Sequence, residues 1–234
     1  HSIVPGDGAQ EALQEALILA EPGDEIVLAA GRYTLTDGLS LDVDDVTVRG
    51  AGMDGTVLDF TAQQGAGEGL LVTSDGVTLR DFALENPKGD GVKSKGADNI
   101  VYHRIRVTWT RGPHPENGAY GVYPVESDGV LVDGVKVTGA SDAGIYVGQS
   151  HNITVRNSIA EANVAGIEIE NSRKAIVERN YQSAGDGRRQ RHRRQQSGGR
   201  QRHAQFRAAG QYRRGRAARH RDHGDGQRQG ADRR

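Results

Sequence analysis

Ser74-Asp75-Gly76-Val77-Thr78-Leu79 is answered by Ala97-Asp98-Asn99-Ile100-Val101-Tyr102, Ser127-Asp128-Gly129-Val130-Leu131-Val132, Ser150-His151-Asn152-Ile153-Thr154-Val155 and Arg173-Lys174-Ala175-Ile176-Val177-Glu178. These are five versions of one phrase. Their third residues stand at 76, 99, 129, 152 and 175, with spacings of 23, 30, 23 and 23. A second series, Gly69, Gly91, Gly121, Gly144 and Gly166, each followed by an apolar residue, steps by 22, 30, 23 and 22. Two independent markers share one period and one interruption, so the chain is a stack of repeated units.

Within a unit, Val77, Leu79, Phe82 and Leu84 correspond to Ile100, Tyr102, Ile105 and Val107, and then to Val130, Val132, Val135 and Val137. Inward positions alternate with outward ones at period two, the pattern of short strands joined by corners. One corner holds Asp81, Arg104, Gly134, Asn157 and Asn180. Asp, Gly and Asn tolerate the left-handed conformation a tight corner needs, and Arg104 is the exception. The period is wrong for a hexapeptide solenoid, and no leucine-rich signature is present. These features predict an all-β, right-handed parallel β-helix with about 23 residues per coil, running over residues 25–180.

Upstream, Leu13, Ala16, Leu17 and Ala20 share one face of a stretch that starts after Asp7 and stops at Pro22-Gly23. This predicts a helix over 9–20, with Asp7 as its N-cap, closing the N-terminal end of the stack and hiding its strand edges. Val43-Asp44-Asp45-Val46-Thr47-Val48 gives an earlier, looser coil.

Net charge is -1, but residues 1–180 carry 14 Lys and Arg against 27 Asp and Glu, whereas 181–234 carry 16 Arg and 4 Asp. Residues 181–234 lack Val, Ile, Leu, Met and Lys, so they cannot build a core. An Arg-rich disordered arm that binds nucleic acid is one reading. A frameshift is the other and is preferred: Arg188-Arg-Gln-Arg-His-Arg-Arg-Gln195 can be encoded by GC-rich codons which, moved one base, read Asp-Gly-Asn-Ala-Thr-Ala-Gly-Asn, much like a coil corner. Nucleic acid is accordingly not the expected partner. No apolar run is long enough to span a bilayer. Without cysteine there is neither a disulfide framework nor a thiolate metal site. An uncapped C-terminal edge predicts association between stacks.

The extra residues of the 30-residue step fall in the loop Trp109–Tyr120, and insertions in a solenoid map to loops on one face, often the binding face. Two residues after each glycine, the outward positions of the following strand are Lys93, Tyr123, Tyr146 and Glu168. In register they form one column, offering flat rings and charges to a polysaccharide. The neighbouring column, Lys95, Val125, Gly148 and Glu170, leaves room beside it. Trp109, Glu126 and His114, the last between two prolines of the loop, complete the candidate substrate-binding set. His103 and His151 read as ordinary surface residues. Asp90 and Asp142 flank the same strands and could bind Ca²⁺ with a third oxygen ligand, although carboxylates beside glycine turns commonly just form the turn. No metal or other cofactor is implied by a motif.

Pro22-Gly23-Asp24-Glu25-Ile26-Val27-Leu28-Ala29-Ala30-Gly31-Arg32-Tyr33 resembles the first coil of pectate-lyase-like β-helix proteins. Residues 86–137 resemble the β-helix family that includes mannuronan C5-epimerases and other carbohydrate-binding and sugar-hydrolase β-helices, where a Tyr-Gly-x-Asp-Pro-His-Asp/Glu motif lies on a strand about one coil after a lysine. Here that position reads Tyr120-Gly121-Val122-Tyr123-Pro124-Val125-Glu126, with Lys88 or Lys93 in the lysine's place. Tyr123 and Val125 replace the acid and the base, which argues against epimerisation. The chemistry left by the resemblance is that of a lyase, with Tyr120 or Tyr123 carrying the proton and a lysine lowering its pKa. Asp142-Ala-Gly-Ile-Tyr-Val-Gly-Gln and Ala165-Gly-Ile-Glu-Ile-Glu-Asn look most like exported bacterial repeat proteins, which implies a periplasmic or extracellular location. A non-catalytic scaffold that binds another protein through the solenoid face is the alternative.

Overall fold

The computed structural model describes residues 2–65 and 67–184, with the backbone of three short strands, Arg189–Arg191, Gln195–Gln196 and Phe206–Arg207. The chain winds as a right-handed parallel β-solenoid of about 8 turns, with about 23 residues per coil. Each coil contributes strands to three faces. The first face stacks Glu25–Leu28 and Thr47–Arg49 under the leading half of Thr78–Glu85, then the leading half of Val101–Thr108, Asp128–Asp133, His151–Arg156 and Arg173–Glu178. The second stacks Gly31–Thr34, Thr56–Asp59, the trailing halves of the two long strands, Lys136–Thr138, Ile159–Asn163 and Tyr181–Ala184. The third carries the candidate column: Leu39–Leu41, Leu70–Val72, Val92–Lys95, Val122–Val125, Ala143–Gly148 and Ala165–Glu170, all parallel.

The alternation read in sequence is the alternation of burial. Val77, Leu79, Phe82, Leu84, Ile100, Tyr102, Ile105 and Val107 are fully buried and pack into one continuous core. A single coil could not hide these side chains, so the stack is the unit of stability. Polar ladders finish the corners. Asp44, Asp75 and Asp98 each accept the backbone N–H of the aspartate one coil on, at 2.8, 2.7 and 2.7 Å. Inside, Ser127 and Ser150 donate backbone N–H groups to the hydroxyls of Ser150 and Ser172, at 3.1 and 3.0 Å.

The glycine series answers to crowding, not to left-handed backbone. A Cβ on Gly69 would approach the carbonyl oxygen of Gly91 to 2.8 Å, and one on Gly121 would overlap Val137 and meet the Gly144 carbonyl at 2.7 Å. Backbone lies on backbone at this corner, and only a hydrogen fits.

Four sequence expectations need correction. The helix spans Ala9–Ile18, and Gly8 with φ 78° stands at its N-cap without a side-chain cap, so Asp7 does not play that role. The helix does cover the strand edge: Gln14 exchanges hydrogen bonds with the backbone of Ser40 at 2.9 and 3.0 Å, an amide standing in for the missing strand. The last coil is one residue shorter than the phrase suggests, since Ile153 pairs with Ala175 and Val155 with Val177. Ile176 therefore faces outward and is 39% exposed. Arg179, φ 54°, takes the left-handed corner in line with Asp81, Arg104, Gly134 and Asn157, while Asn180 turns inward and accepts the Ser158 N–H at 2.8 Å. Finally, the coil pattern continues past 180 into Tyr181–Ala184. Apart from that strand and the three short ones, the Arg-rich stretch and the two readings of it lie outside the described residues.

Candidate functional site

Register settles the column. Leu71 pairs with Lys93, Lys93 with Tyr123, and Tyr146 with Glu168, while Val122 opposite Ile145 sets Tyr123 beside Tyr146. The inward neighbours Val92, Val122, Ile145 and Ile167 fill the core, which forces Lys93, Tyr123, Tyr146 and Glu168 out. All four are nonetheless half-buried. Tyr120, at the end of the inserted loop, lays its ring against the two tyrosines of the column. Tyr120 stacks on Tyr146 with centroids 4.6 Å apart and planes 28° apart, and meets Tyr123 at 4.8 Å. Tyr123 and Tyr146 touch edge to face at 5.1 Å. Such pairs add about 0.5–1.5 kcal/mol beyond their burial.

The charged neighbours bind the rings at both ends. Lys93 Nζ lies 5.1 Å from the Tyr123 centroid and 3.1 Å from Glu68 Oε1. The Tyr146 hydroxyl donates to Glu170 at 3.0 Å, and its ring lies against Gly148, where a Cβ would stand 2.9 Å from it. The room that the second column seemed to leave is thus filled by Tyr146 itself. The Tyr120 N–H donates to Asp90 Oδ1 at 3.0 Å, and its hydroxyl lies 3.5 Å from Asp142 Oδ2.

These neighbours set the protonation states. Burial, and after it the Asp142 carboxylate, pushes the Tyr120 hydroxyl up to about 12. Burial and the hydrogen bond to Glu170 likewise hold Tyr146 above the ordinary tyrosine range. Burial works against the ammonium of Lys93, but Glu68 outweighs it and its pKa is raised. Burial raises Asp90, partly offset by the Tyr120 N–H. The expectation that a lysine depresses the pKa of Tyr120 is therefore reversed: burial, joined by the carboxylates around it, raises it instead. At neutral pH the hydroxyls of Tyr120 and Tyr146 are therefore protonated.

The remaining candidates lie elsewhere. Trp109 is 3% exposed and gives its indole N–H to the Pro87 carbonyl at 2.8 Å, so it anchors the loop to the preceding coil and offers nothing to a substrate. Asn117, also buried, ties the same loop to Gly112 and Gly139 and accepts from Arg111. His114 stands exposed beside Glu116, 3.8 Å away, on the outer part of the loop. Lys88 is exposed on the turn before the third-face strand, with Nζ on the Gln64 carbonyl at 3.0 Å. Glu126 sits past the far end of its strand in a left-handed corner, φ 57°. Asp90 and Asp142 are both engaged with Tyr120, and among the described residues no group of three His, Asp or Glu could hold a metal ion. Sequence reasoning misses Glu68, which falls outside the repeated phrase, and places Glu170 only in the neighbouring column, without its hydrogen bond to Tyr146. Among the described residues no helix is long and apolar enough to cross a membrane.

The chain is 24% identical over 215 residues to the pre-neck appendage proteins of Bacillus phages phi29 and PZA, over 77% of this chain but 25% of theirs. It thus spans about a quarter of the length of those relatives. Among solved structures, the PL6 family alginate lyase AlyGC superposes with a TM-score of 0.51 at 14% identity, over 76% of this chain and 28% of that one. The alginate lyase of Paenibacillus sp. str. FPU-7 gives 0.49 at 17% identity, over 76% and 75%. The family described as the right handed beta helix region matches residues 41–187, and this chain belongs to it.

Proposed function

We propose that the third face is a carbohydrate-binding platform and that the protein binds polysaccharide without cleaving it. The observation that carries this reading is the contiguous cluster of Tyr120, Tyr123 and Tyr146 on the outer surface of a rigid parallel sheet. Phenol rings offer flat apolar surface and a polar edge, which suits a pyranose with its C–H face and its hydroxyls. The likeness in fold to an alginate lyase supports the polysaccharide class, and location outside the cell belongs to the same proposal. Catalysis is not part of it. Abstraction of a proton next to a uronate carboxyl needs a poised base, whereas Tyr120 and Tyr146 are held protonated and Lys93 is held charged by Glu68.

A glycan array tests the platform. Saturable binding of the full chain to at least one polysaccharide, lost in Tyr123→Ala/Tyr146→Ala, is expected, with no new ultraviolet absorbance from an unsaturated uronide. Uniform silence would favour the second reading, a structural module that binds another protein, which the similarity to the phage appendage proteins supports.

A further inference from the structure

The side chains that frame the tyrosines are unevenly charged. Asp90 and Asp142 contact Tyr120, Glu170 contacts Tyr146, Glu168 is the register neighbour of Tyr146, and Glu68 holds Lys93. Against these five carboxylates the same outer surface sets, among the described side chains, Lys93 and, two residues along the strand, Lys95. Among the described residues, the ammonium that lies over a ring, that of Lys93, is already committed, 3.1 Å from Glu68 and 5.1 Å from the Tyr123 centroid. A polyuronate laid on the rings would bring one more carboxylate per sugar into this surround. Half-buried charges are screened less than exposed ones, so the repulsion would persist in ordinary salt. A protonated amine on the sugar would meet the opposite: carboxylate acceptors on both sides of an aromatic surface that itself attracts cations.

Resting on the platform reading, we propose that the ligand of this face is an amino-sugar polymer bearing free ammonium groups, and that polyuronates are rejected there. The face therefore differs in substrate charge from the alginate-acting proteins whose fold it shares.

Calorimetric titration of the full chain with tetrasaccharides of β-1,4-linked glucosamine, N-acetylglucosamine and mannuronate, at about pH 6 and low salt, tests this. Each ligand is run against the wild type and Tyr123→Ala/Tyr146→Ala, and only binding lost in the tyrosine variant counts. That difference separates the face from general attraction of the acidic body for polycations or of the Arg-rich stretch for polyanions. The glucosamine tetramer is expected to bind about tenfold more tightly than its N-acetyl counterpart. The mannuronate tetramer should show no tyrosine-dependent binding. In Glu168→Gln/Asp142→Asn, checked for an unchanged melting temperature, the preference for glucosamine should fall to about threefold or less. Tyrosine-dependent binding of mannuronate, with or without calcium, would overturn the charge inference and leave the platform standing. Tyrosine-dependent binding of none of the three would also overturn it, and the glycan array would then decide whether the platform survives.

Discussion

Tyr120 shows how a local environment redirects a residue's chemistry. Its hydroxyl is displaced to about 12 because ionisation would place a phenolate among buried surface and carboxylates. The folded state thus keeps a proton that the unfolded chain gives up near its ordinary value of about 10. The stability this provides is complete below about pH 10 and is lost as pH rises toward 12. A spectrophotometric titration of tyrosinate should show a high-pH phase, shared with Tyr146 and the core tyrosines, whose amplitude falls in Tyr120→Phe, and an unchanged amplitude in that variant would contradict the assigned environment. Ser74 offers a cleaner stability test. Its hydroxyl is buried without a hydrogen-bond partner, whereas the hydroxyls of Ser127, Ser150 and Ser172 each donate to the carbonyl two residues back. Ser74→Ala should be neutral or stabilising by up to about 1 kcal/mol in urea unfolding, whereas Ser150→Ala, which strands the Ser127 N–H, should cost about 1–2 kcal/mol.

At the scale of strands and corners, the glycine column is the most constrained feature. Gly121→Ala would drive a methyl group into Val137 and toward the Gly144 carbonyl. Overpacking of this kind costs about 1–3 kcal/mol, and backbone cannot yield as a side chain can, so a loss at the upper end is expected by thermal denaturation. An unchanged melting temperature would mean that the coils are spaced more widely than described. This scale is also where sequence was most legible. The glycines and the period-two alternation gave the register that aligns Lys93, Tyr123, Tyr146 and Glu168, because a one-residue slip would have exposed Val122 and Ile145. The last coil misled because Ala175 and Ile176 are both apolar, so pattern alone could not say which faced in. Trp109 misled for a related reason: in an inserted loop, a large aromatic reads the same whether it anchors the loop or awaits a ligand. The contact with Pro87, which decides between them, comes from another coil.

Taken whole, the molecule is a one-dimensional stack in which each coil is stabilised by its neighbours. Core side chains from Val77 to Val155 are almost wholly buried, but Ala175 and Val177 of the last described full coil are only partly so. Hydrogen exchange should therefore be slowest over strands 78–155 and fastest, among the coils, over 173–184. Uniform protection along the stack would contradict this. The rigid central coils also hold the three tyrosines in place before any ligand arrives, which lowers the entropic cost of binding.

The binding claim itself is tested most directly by following the tyrosines. Of the chain's 7 tyrosines, Tyr33 and Tyr102 are in the core and three form the platform. With ring-labelled tyrosine and a glycan taken from the array, NMR titration to saturation should shift the resonances of Tyr120, Tyr123 and Tyr146 together, with one common dissociation constant, and leave Tyr33 and Tyr102 unmoved. Saturable binding with the three platform resonances unchanged would show that the glycan binds elsewhere and that the account of this face is wrong.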